Sequence, residues 1–146
     1  RSTVSEAENQ RFCDMTMNQQ PLHLDAEFAA ETQFGERLVN GLYTMSLATG
    51  LSIPDTTDGT IVANLSYDGV EHPNPVFHGD TVRAESTVLD KRETSGGERG
   101  IVTMRVDAYK LDGDSAAAED GCNDGETLVC TFERTVLSLK RTNADD

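Results

Sequence analysis

At 146 residues and 36% hydrophobic, the chain is long enough for one domain with a core of its own. Its 26 acidic against 12 basic residues leave a net charge of -14, a field that repels nucleic-acid phosphates and anionic membranes and excludes both as expected partners. It has no secretory leader pattern and no run of about 18 apolar residues, so a soluble, cytoplasmic protein is expected.

The acidic residues are spread along the chain, and the only lysines are Lys91, Lys110 and Lys140. Self-repulsion of this size weakens a compact domain at low ionic strength, and salt near 1 M screens it to about 3 Å. The composition is that expected of a salt-loving organism. Cys13, Cys122 and Cys130 form no CxxC pair and read as reduced thiols. No spacing of His, Cys or carboxylates marks a metal site, and the Asp-rich run over 112–124 lacks the alternation of an EF-hand. The chain starts at Arg1, which reads as a trimmed start.

Ser5-Glu6-Ala7-Glu8 is a capping box, opening a short helix toward Cys13. A turn holding Pro21 follows, and Asp25 is placed to N-cap a second short helix over 26–31. Residues 36–49 predict the most informative element, a helix apolar on nearly every side and therefore buried. Gly41 costs such a helix about 1 kcal/mol, which implies that something approaches closely there. Strands are predicted over 60–67, 81–89, 100–111 and 127–139, separated by Pro73 and Pro75, Gly79-Asp80 and Ser95-Gly96-Gly97. The last two strands flank an acidic loop over 112–126, longer than most hairpin connections and read as surface decoration. One long buried helix and four strands at hairpin spacing imply an α+β fold, an antiparallel sheet wrapped around the helix. Its edges need cover, so a homodimer or larger homo-oligomer is expected.

Three stretches in this order, QPLHLDAEFAA, FGERLVNGLYTMSLATGL and PVFHGDTVRAESTVLDKRE, resemble the MaoC-like hydratase family and its hotdog fold. The resemblance runs from about Thr3 to Leu139 as a single domain, and the strand that opens the family's domain is expected to be missing. It implies reversible addition of water to a 2-enoyl-CoA, with an acyl-CoA substrate and no cofactor or metal. By position His23 matches the family's catalytic His and Gly41 the glycine whose amide holds the thioester oxygen. Thr49 stands where a Ser commonly assists, and Asn40 replaces the His before the helix glycine. Asn18 occupies the place of the catalytic Asp, and Gln20 that of the motif's Asn. The stretches MNQQPLHLD and DTTDGTIVANL are similar to the mesaconyl-CoA hydratase branch, which implies a branched, carboxylated substrate.

An imidazole takes a proton from water near neutral pH; an amide only orients water by hydrogen bonds. Asn18 therefore leaves three readings open: an adapted hydratase, a hotdog thioesterase using Glu36, or an acyl-CoA binding subunit without turnover. Asp14 and Asp25 are the nearest replacements for the lost acid, with Asp25 better suited to capping. His72 and His78 flank prolines and glycine and are expected in surface or turn roles, and Arg83, Arg92 and Arg99 in salt bridges.

Overall fold

The computed structural model describes residues 1–112 and 125–140. Most of the acidic loop expected over 112–126, with Cys122, lies outside the described residues. The elements run β1 (Ser2–Thr3), α1 (Glu6–Thr16), α2 (Pro21–Leu24), α3 (Ala26–Ala30), α4 (Gly41–Thr56), β2 (Ile61–Glu71), β3 (Thr81–Glu93), β4 (Arg99–Leu111) and β5 (Glu126–Leu139). The strands form one antiparallel sheet in the order β1-β3-β4-β5-β2, and α4 packs against β3, β4 and β5.

Local chemistry starts α1 and α3 where expected, whereas the turn expected at Pro21 is the one-turn helix α2. The Ser5 hydroxyl accepts the Glu8 amide at 3.1 Å while the Glu8 carboxylate accepts the Ser5 amide at 3.3 Å, so two otherwise orphaned donors are met. Met17, at φ 59, ends α1 in the left-handed region. Asp25 Oδ1 accepts the amides of Glu27 and Phe28, which commits it to capping α3.

The central helix differs from its predicted span: it begins at Gly41 and runs to Thr56, with Pro54 in its last turn. Residues ahead of Gly41 are extended because Leu38 bridges Phe77 and the Val39 amide donates to Val76 O at 2.9 Å. The apolar Leu38 and Val39 thus belong to a long-range pairing rather than to the helix. Asn40 ends that pairing and caps α4, its Oδ1 accepting the Leu42 amide at 3.0 Å.

Val82, Met104, Val106, Ala108, Phe132 and Val136 are buried in one cluster with Val39 and Ala48, so the core lies between sheet and helix. Arg134 is also buried; its Nε and Nη2 donate to Asn64 Oδ1 on β2 at 2.9 and 2.6 Å. β2 forms the far edge of the sheet and leaves Ile61, Val62, Leu65, Tyr67 and Val70 exposed. Cys13 and Cys130 are buried, unbridged thiols, as expected. No helix among the described residues is long and apolar enough to cross a membrane.

Candidate functional site

The N-terminal end of α4 is where separate segments of the chain converge. Asn9, on α1, is 1% exposed and organises the junction. Its Oδ1 accepts the Asn40 amide at 3.0 Å, which orients the side-chain NH2 toward His78 Nε2 at 3.1 Å and the His23 carbonyl at 3.5 Å. His78 Nε2 must then present its lone pair, so this ring is held neutral. Its pKa is lowered, chiefly by burial and then by the Arg37 charge, against opposing contributions from Glu6 and Glu36. Cys13 sits beside this network, and burial pushes its thiol above the ordinary range.

His23 belongs to the short helix α2, which Pro21 starts at a position where a missing N–H is harmless. Its Nδ1 lies 2.7 Å from Leu38 O. A carbonyl only accepts, so Nδ1 carries the proton and Nε2 is left as the basic nitrogen. Nε2 makes no hydrogen bond among the described residues.

Asn18 is half-buried just past the C-cap of α1, its amide N–H donating to Cys13 O at 3.0 Å. Its side chain makes no hydrogen bond among the described residues. Asp14 is engaged by the side-chain amides of Gln10 and Gln19, at 3.1 and 3.0 Å. Glu36 is exposed in the segment leading to Val39. Tyr43, in the first turn of α4, donates to Glu8 Oε2 at 2.8 Å, and burial followed by this bond raises its pKa to about 12.

Beside Gly41 lies a cavity of about 310 Å³ walled by Phe34, Leu38, Thr44, Val76 and Val129, with His72 at its side. Its size suits a small ligand portion. Gly41 lines it; Thr49 does not, and its hydroxyl donates back to Met45 O at 3.0 Å. Thr44 and His72 are the lining residues that sequence reasoning missed, with Asn9 and His78 behind them. The one available signal was the propensity cost of Gly41, since the neighbour it admits comes from the distant β2–β3 connection. A larger cleft of about 720 Å³ lies at the opposite end of α4, between Pro54, Lys91, Arg92, Met104 and Lys140, and includes none of the expected site residues. No cluster of three or more metal-ligating side chains occurs among the described residues. Arg83 pairs with Glu85 and Glu126 and stacks over Tyr109, a sheet-surface role.

Residues 1–110 match the model of the MaoC like domain. The chain is 36% identical over 108 residues to the mesaconyl-CoA hydratase of Cereibacter sphaeroides, covering 74% of this chain and 30% of that protein. It is 30% identical over 145 residues to the beta-methylmalyl-CoA dehydratase of Chloroflexus aurantiacus, covering 95% of this chain and 40% of that one. The chain therefore spans well under half the length of these two relatives. Among solved structures it superposes on the monoamine oxidase regulatory protein of Archaeoglobus fulgius with a TM-score of 0.79 at 27% identity, covering 97% of this chain and 86% of that one. The sheet curled on α4 is the hotdog architecture of its structural neighbours.

Proposed function

The chain belongs to the MaoC-like family, and from that premise we propose that it hydrates a 2-enoyl-CoA reversibly to a 3-hydroxyacyl-CoA, with His23 as the base. The observation that carries this reading is the His23 tautomer. With Nδ1–H held on Leu38 O, Nε2 is free to take a proton from water. As the water oxygen bonds to the β-carbon, the double-bond electrons move toward the carbonyl and the thioester oxygen becomes an enolate. The Gly41 amide, first of the helix and without an intrahelical acceptor, meets that oxygen with the positive end of the α4 dipole behind it. The proton on Nε2 then goes to the α-carbon and returns His23 to its starting form. Asn18 orients the attacking water through its amide and carries no proton.

The finer substrate is a branched, carboxylated enoyl-CoA of the mesaconyl type. What supports this is the likeness to relatives bearing that name or the name of the corresponding dehydratase. Asn40 caps the helix and buries its side chain, so its part is to place Gly41 rather than to touch substrate. The working unit is a homodimer, with a second copy laid along the unpaired, apolar edge of β2.

The test is loss of enoyl-thioester absorbance with crotonyl-CoA and mesaconyl-CoA, in about 1 M KCl to screen the net charge. His23→Ala should lower kcat by about 10²- to 10⁴-fold. Wild-type inactivity on both substrates, with turnover appearing only in Asn18→Asp, would replace catalysis by acyl-CoA binding. Release of free CoA thiol would make it a thioesterase.

A further inference from the structure

The His72 ring is aimed at the first residue of α4. A Cβ placed on Gly41 would lie 3.1 Å from His72 Nε2, 3.2 Å from Cε1 and 3.4 Å from Cδ2, so the tip of the ring, led by Nε2, points at that backbone. His72 is exposed and its ring makes no hydrogen bond among the described residues, although it borders the cavity beside Gly41. The approach is built in. Pro73 restricts the residue before it to extended backbone. Asn74 Nδ2 donates to Leu128 O at 2.9 Å, and the Val39 amide donates to Val76 O at 2.9 Å, binding this connection to β5 and to the segment that leads into α4.

On the acyl-CoA reading above, we infer that His72 Nε2–H is a second hydrogen-bond donor to the thioester oxygen held by the Gly41 amide. The separation of the two donors is within the reach of one shared oxygen. A Cβ lies about 2.5 Å from its own amide nitrogen. With the 3.1 Å separation, Nε2 and Gly41 N are at most about 5.6 Å apart. One oxygen about 2.9 Å from each donor spans up to about 5.8 Å. Two donors converging on the atom where charge develops favour the enolate over the neutral thioester. Neutral imidazole with the proton on Nε2 and imidazolium both supply this donor. The inference also gives glycine at position 41 a use: even a Cβ there would crowd the ring tip at 3.1 Å.

The enolate of acetoacetyl-CoA, read by its near-ultraviolet band on the full chain, tests this without turnover. Saturated wild type, His72→Ala and His72→Gln are titrated with base, and kcat and KM for the enoyl-CoA are measured in parallel. In His72→Ala the apparent pKa of the bound probe should rise by about one unit and kcat should fall about tenfold or more, short of the full effect of a buried oxyanion donor because His72 is exposed. His72→Gln, which keeps an N–H at similar reach, should recover most of both. A His72→Ala protein that binds the probe with wild-type enolisation overturns the role of His72 alone. Wild type that binds no acetoacetyl-CoA overturns the acyl-CoA reading, and this inference with it.

Discussion

The two ends of α4 are built differently. At the N-terminal end, Asn40 caps the helix, Asn9 ties that cap to His23 and His78, and Gly41 leaves room for His72. At the other end Pro54 sits inside the last turn, and the cleft beyond it, though more than twice as large, is walled by mixed charges and the tips of β3 and β4. Cavity size alone would select that other end. The N-terminal end offers a helix-start amide beside an apolar recess, and His23, with its tautomer defined, is held on the carbonyl of Leu38, a residue of the recess wall. Hydration chemistry needs just that combination.

Removing Asn9 should erase the difference most completely after His23 itself. Asn9→Ala deprives the buried Asn40 amide of its acceptor and His78 of its donor, while Asn40 and Cys13 remain buried around the gap. Unmet buried groups cost about 1–3 kcal/mol each, so a loss of about 3 kcal/mol in chemical denaturation is expected. Activity should fall further than stability requires, because the Asn40 backbone, one peptide ahead of the Gly41 amide, is no longer held. A stable Asn9→Ala protein with wild-type kcat would show that the network does not position the site. A separate loss is expected at β2: Leu65→Lys should shift sedimentation from dimer to monomer, and a monomeric wild type would remove the paired edge from the proposal.

The same contrast marks how far the sequence was legible. Interactions that close within a few residues were readable: the Ser5–Glu8 box, the Asp25 cap and four strands whose ends fall within a few residues of their predicted limits. The start of α4 was not. Leu38 and Val39 carry a pattern that suits a helix, and only the distant Val76–Phe77 segment makes them extended. His23 and Gly41 stood out through motif likeness alone, and their roles belong to the proposal. His72 is an exposed loop residue as expected, but no one-dimensional spacing reports that His78 meets Asn9 or that the His72 ring approaches Gly41. Arg134, alone in an alternating strand, gave no sign that it is buried and turned to Asn64.

Acid should sharpen the difference between the ends by a smaller amount. His78 is half-buried as the neutral base, and its folded pKa lies below its ordinary 6.5. The unfolded chain therefore binds the proton first as pH falls. The contribution of neutral His78 is whole above about 6.5 and is lost progressively from there down through the folded value. Denaturation midpoints measured from pH 7.5 to 5.5, above the carboxylate range, should decline in wild type and more shallowly in His78→Gln. Equal slopes would mean that His78 does not titrate with folding.

The smallest effect is expected at the far end of α4, and it is the one that separates site from scaffold. Lys91 and Arg92 line the larger cleft. They are exposed on the end of β3 that pairs Val102 and Ile101 of β4, where surface charges contribute within about 1 kcal/mol. If the acyl portion lies at the N-terminal end, Lys91→Ala and Arg92→Ala should change kcat less than twofold. A modest rise in KM that fades in concentrated KCl would trace only to the cationic surface attracting a polyanionic CoA through an otherwise acidic field. A salt-independent fall in kcat in either variant would instead bring the large cleft into the reaction, because a remote charge alters encounter and not the bound chemistry.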